Sequence, residues 1–102
     1  MATVAKRLGK GMVSITPNTV MYTVPTSTTT LVKAVTICNT VSTPVTVRLS
    51  FAGAAVIFDH TIKPNDTITI PFIDQILMGG ETITGSASAS AVWYYISGKE
   101  VT

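Results

Sequence analysis

The chain has 102 residues, 46% of them hydrophobic and only 12% charged, with 7 Gly, 5 Pro, a single Cys and a formal charge of +2. That length accommodates one compact domain, and low charge with many β-branched residues excludes a disordered chain. No run approaches the ~18 apolar residues of a membrane-spanning helix, and a lone cysteine forms no internal disulfide.

Residues 1–11, MATVAKRLGKG, carry Lys6, Arg7 and Lys10 and no acid. Without those cations the rest of the chain is close to neutral, so the basicity is local. The segment is expected to be a flexible basic arm ahead of a single domain over 12–102. It lacks the apolar core of a secretory signal, and Ala2 breaks the myristoylation pattern. Two readings stand: a frayed, solubilising terminus, or an arm in which Lys6, Arg7 and Lys10 dock on an acidic partner or nucleic acid.

From Met12 the pattern is β throughout. Met12 to Thr16 reads as a short strand closed by Pro17-Asn18, and Val20, Tyr22 and Val24 alternate before Pro25. In the run Thr30 to Thr40, Leu31, Val35 and Ile37 are expected on one face, with Val32, Ala34, Thr36 and Cys38 on the other. Val45, Val47, Leu49 and Phe51 alternate with Thr46, Arg48 and Ser50, the mark of a half-buried strand. Gly53 turns the chain into Ala55 to Phe58, and Pro64-Asn65-Asp66 turns it again into Ile68 and Ile70. Phe72 to Met78 is predicted as one helical turn before Gly79-Gly80. Small residues alternate from Thr82 to Ala91, and a last strand runs from Val92 to Ser97. Seven to eight strands at such spacings predict an all-β antiparallel β-sandwich of jelly-roll or Greek-key type.

Catalytic and metal chemistry find little support. Asp59-His60 is the one carboxylate–imidazole neighbour pair, but adjacent strand residues point to opposite faces, and no nucleophile motif accompanies it. One His, one Cys and scattered carboxylates do not assemble a His/Cys zinc site within a chain, and the acids lack EF-hand spacing. Cys38 lies among apolar neighbours with no cation to activate it, as a small buried hydrophobe would. Asn65-Asp66-Thr67 fits the glycosylation pattern but reads better as a turn. No cofactor is expected.

Trp93-Tyr94-Tyr95 is the aromatic cluster. Alternation turns Tyr94 inward with Val92 and Ile96 and leaves Trp93 and Tyr95 together on the opposite face. There they could cover the core at a sheet edge, anchor a protein interface or stack on a sugar. Threonine, clustered at Thr26, Thr28, Thr29 and Thr30, takes the place of charge and is cheaper to dehydrate than Lys or Glu. Tyr22, Trp93 and Tyr95 are the expected contact residues.

Several strings occur together: Leu31-Val32-Lys33 leading to Ile37-Cys38-Asn39-Thr40, and Asp66-Thr67-Ile68 before Pro71-Phe72. Gly80-Glu81-Thr82-Ile83 runs into Gly85-Ser86-Ala87-Ser88, and Tyr95-Ile96-Ser97-Gly98-Lys99-Glu100-Val101 closes the set. Over about residues 22 to 101 the chain resembles small β-sandwich virion proteins of tailed bacteriophages, found as tail, head-decoration or fibre-associated components. The resemblance implies a non-enzymatic structural protein made in the bacterial cytoplasm and built into the virion. It also implies a symmetric homo-oligomer with other virion proteins as partners. A carbohydrate- or receptor-binding module that stacks host glycan on Trp93 and Tyr95 is the alternative. Nucleic acid is not an expected partner.

Overall fold

Branching at Cβ fits threonine, valine and isoleucine to a pleated backbone, and these residues fill the strands. A computed structural model describes residues 3–71 and 73–102. Nine strands run through them: β1 (Thr3–Met12), β2 (Thr19–Thr23), β3 (Thr29–Asn39), β4 (Val45–Phe51), β5 (Ala54–Ile62), β6 (Thr67–Ile70), β7 (Gln75–Leu77), β8 (Thr82–Ala87) and β9 (Val92–Val101). One sheet has the order β1-β9-β3-β6, with β7 also paired to β3, and the other has the order β2-β8-β4-β5. All pairs are antiparallel. The short β6 and β7 lie one after the other along the same edge of β3, so each sheet has four positions. The chain crosses between sheets at almost every connection, and only β4 and β5 form a hairpin of neighbours. This is the double Greek-key winding of a jelly roll. No helix among the described residues is long and apolar enough to cross a membrane.

The alternating residues of β4 do what their spacing predicts. Val45, Val47, Leu49 and Phe51 are buried and meet Val32, Val35, Ile37, Val92 and Ile96 of the facing sheet in one core. Each such side chain contributes about 1.5–3 kcal/mol on burial.

Four expectations fail for identifiable reasons. The basic arm is a strand from Thr3: β1 pairs with β9 along its whole length and buries Leu8. The boundary expected at 11/12 therefore falls inside a strand; Met1 and Ala2 lie outside the described residues. The strand expected over Met12 to Thr16 is only the end of β1. In β3 the register with β9 steps between Val32 and Ala34, a β-bulge that places one extra residue and changes the parity. Val32 is consequently buried where Leu31 was expected, while Val35 and Ile37 keep their inward face. Lys33, the extra residue, reaches Asp74 at 2.7 Å. The helical turn at Phe72 to Met78 is replaced by β7, in which Leu77 is buried opposite Thr30. A three-residue strand carries too little alternation to be told from a turn. Phe72 lies outside the described residues.

Candidate functional site

Residues directly opposed in antiparallel strands share a face, so the ladders fix what the first sheet shows to solvent. One row reads Met12, Trp93, Cys38, Thr67 across β1, β9, β3 and β6. The next reads Lys10, Tyr95, Thr36, Thr69. Trp93 and Tyr95, on the middle strand of these rows, are 48% and 47% exposed, and Met12 is exposed beside them. Tyr94 points inward against the core, as alternation predicts.

The two rows line an open cavity of about 360 Å³, with Lys10, Gly11, Thr36 and Cys38 beside the aromatics. Gly11 has φ 137°, and a Cβ there would meet nothing within 4 Å. This left-handed backbone position favours glycine and leaves the rim of the cavity bare. The Arg7 guanidinium carbon lies 5.9 Å from the centre of the Tyr95 ring, within reach of a cation–π contact. Among the described residues, the outward positions of β1, β9 and β3 carry Arg7, Lys10 and Lys99 and no carboxylate of their own, while Lys33 at the β3 bulge is paired with Asp74. The face is aromatic at one end and positive along its edge.

The structure separates the other expected contact residues from this face. Tyr22 is half-buried on β2, in the opposite sheet. Its hydroxyl lies 2.7 Å from Thr30 Oγ1 and donates to Glu100 Oε2 at 2.5 Å. Lys6 reaches the same carboxylate at 3.2 and 3.3 Å. Tyr22 and Lys6 thus form a clasp between β2, β3, β9 and β1, and of the three arm cations Arg7 and Lys10 border the aromatic groove. The Glu100 side chain is 14% exposed. The Tyr22 hydroxyl, and then Lys6, hold its carboxyl below the ordinary glutamate range. Burial and the hydrogen bond to Glu100 push the Tyr22 phenol up to about 12.

The clasp makes stability depend on pH at both ends. A depressed carboxyl stabilises the fold above its unfolded pKa, and this is lost as pH falls through the folded value. A raised phenol has the opposite sign: its contribution is complete below pH ~10 and disappears as pH rises toward about 12. Tyr22→Phe should cost about 1.5–3 kcal/mol at pH 7, the range for a hydrogen bond to a charged group. It should also flatten both limbs in urea midpoints measured across pH. Absorbance titration should lose the last phenol to ionise.

Asp59 and His60 do not form a dyad: Asp59 accepts two bonds from Arg48, at 2.6 and 3.1 Å, which holds its carboxyl below the ordinary range. No three His, Cys, Asp or Glu among the described residues form a group that could hold a metal ion. Two residues of the aromatic groove, Met12 and Cys38, were not foreseen as site residues. Nothing local links them to Trp93, because they become its neighbours only through the β1–β9–β3 register.

No protein-family model matches the chain, and no curated protein matches it.

Proposed function

We propose that this protein is a structural component of a bacteriophage virion that self-associates and docks on the head or tail through the outward face of β1, β9 and β3. The observation that carries this reading is the pair Trp93 and Tyr95, each about half exposed in an open groove. Large aromatics are the residues whose burial dominates interface energetics. The chain's low charge and the resemblance of about residues 22 to 101 to small β-sandwich virion proteins support the same reading. The jelly-roll winding does too, at the level of fold analogy, since it recurs in viral capsid domains. The mechanism is burial: a standard interface removes about 800 Å² per partner, and a face of Thr, Trp and Tyr loses its water at little cost.

Light scattering at high micromolar concentration tests self-association. The expected result is a mass above that of the monomer, reduced toward it by Trp93→Ala with folding intact. A clean monomer overturns this part of the reading. Immunogold imaging of virions tests the location.

Carbohydrate binding is the second reading. Residues i and i+2 of a strand stand roughly 6.5–7 Å apart, so Trp93 and Tyr95 can present two stacking surfaces beside one cavity, and lectin domains share this winding. Glycan-array binding that disappears in Trp93→Ala would favour it; an array without signal would reject it.

A further inference from the structure

The second sheet carries a feature complementary to the groove. In β5, which forms the edge of that sheet, His60 pairs with Val47 and Ile57 with Leu49. Phe58 and Asp59 therefore both oppose the single residue Arg48, a β-bulge, and Asp59 has φ 53°. The bulge leaves Phe58 66% exposed. The ring is not loose: the Arg48 guanidinium carbon lies 4.4 Å from its centre, and Arg48 is itself gripped by both Asp59 oxygens. An aromatic side chain fixed before binding loses little entropy when it is buried. An ionised carboxylate has about four acceptor sites; Arg48 occupies two, which leaves Asp59 free to accept from another cation.

We infer that the bulge in the middle of β5, a tip formed by Phe58 and Asp59, seats in the Trp93–Tyr95 groove of a second copy, so that the chain assembles head to tail. The inference rests on the self-association reading and specifies its geometry. Size permits it, since a cavity of roughly 150 Å³ already admits benzene and the groove is about 360 Å³. Charge selects it. Groove against groove would set Arg7, Lys10 and Lys99 against their own copies with no acid between them. The β5 tip instead brings a neutral Arg48–Asp59 pair, with acceptor sites left on its carboxylate for Lys10, and an aromatic ring to Trp93 and Tyr95. The two surfaces belong to opposite sheets, so one molecule cannot satisfy both with itself. Such a heterologous contact makes a ring if the rotation closes and a filament if it does not.

The test mixes two variants. Phe58→Asp lacks the tip but keeps the groove, and Trp93→Asp lacks the groove but keeps the tip. Each alone should sediment as a monomer, with association weakened roughly tenfold or more, and far-UV circular dichroism should remain that of the wild type. Mixed in equal amounts, they retain one intact tip–groove pair and should form a 1:1 dimer. Trp93 is the only tryptophan, so its emission should shift to the blue when the wild type assembles and not in Phe58→Asp. Should Trp93→Asp fail to fold, Tyr95→Asp takes its place in the mixture. A wild type that assembles while Phe58→Asp keeps the same mass, or a mixture that stays monomeric, overturns the head-to-tail geometry alone. A monomeric wild type overturns the self-association reading together with it.

Discussion

Gly98→Ala should cost on the order of 3 kcal/mol or more and leave little soluble folded protein. Gly98 lies in β9 between Lys6 of β1 and Val32 of β3. A Cβ built there falls 2.1 Å from the Leu31 carbonyl oxygen and 3.0 Å from Leu8 Cδ1. The leucine tip can rotate away, but the carbonyl belongs to the backbone of a strand held on its other side by β6 and β7. Relief therefore requires β3 and β9 to part beside the β3 bulge, where the ladder is already interrupted. Overpacking in an interior ordinarily costs about 1–3 kcal/mol; backbone as the obstacle puts this case at or above that range. Against a total stability of about 5–15 kcal/mol, a loss of that size is read directly from urea denaturation midpoints. Lys99→Ala, one residue on and facing outward, should stay within about 0.5 kcal/mol.

The close approach at Gly98 also marks what sequence reading reaches in this chain. Alternation within a strand is local, and it correctly separated inward from outward residues in β4 and around Trp93-Tyr94-Tyr95. Pairing between strands is not local. Residues 3–11 look like part of a loose basic tail because their order comes from β9, at the far end of the chain. Lys6 and Tyr22 looked like surface contacts because Glu100, which engages both, is equally remote in sequence. The β3 bulge defeats alternation in another way: one added residue exchanges the two faces, so Val32 replaces Leu31 in the core. The groove was accordingly half legible. Its aromatics follow from parity within β9, whereas Met12, Lys10 and Cys38 join them only through register.

The same register gives the low charge a structural meaning. Acids are not merely scarce: the outward positions of β1, β9 and β3 have none among the described residues, while Glu100 faces inward and Asp59 and Asp74 are paired with Arg48 and Lys33. A face with cations but no carboxylates repels its own copy and attracts a surface that offers an acceptor. In the assembly proposed above, charge, and not apolar area alone, therefore favours head-to-tail over face-to-face contact.

Asn39→Leu should destabilise the fold by about 3–5 kcal/mol, although the two side chains are similar in size. Asn39 ends β3 and is completely buried. Its Nδ2 donates to the carbonyls of Thr43, Ile62 and Lys63 at 3.0, 3.2 and 3.1 Å, and its Oδ1 accepts from the Val41 amide at 2.8 Å. Two hydrogens serving three carbonyls means that one bond is shared. The side chain thereby ties the β3–β4 connection to the end of β5. Leucine leaves three acceptors and one donor without their partner, at about 1–3 kcal/mol for each one that water cannot reach. The carbonyls nearer the surface recover water, which keeps the total below the full sum. Asn39→Asp tests the donors specifically. At neutral pH it sets a carboxylate against three carbonyl oxygens, so its folded pKa must rise above the unfolded ~3.9. The folded form then binds its proton more tightly, so the variant should gain stability relative to the wild type as pH falls. Both proteins keep the depressed Glu100 and share the loss that it causes over the acid range. Urea midpoints of the two proteins should therefore converge on acidification, and parallel curves would reject the hydrogen-bonding role assigned to Asn39.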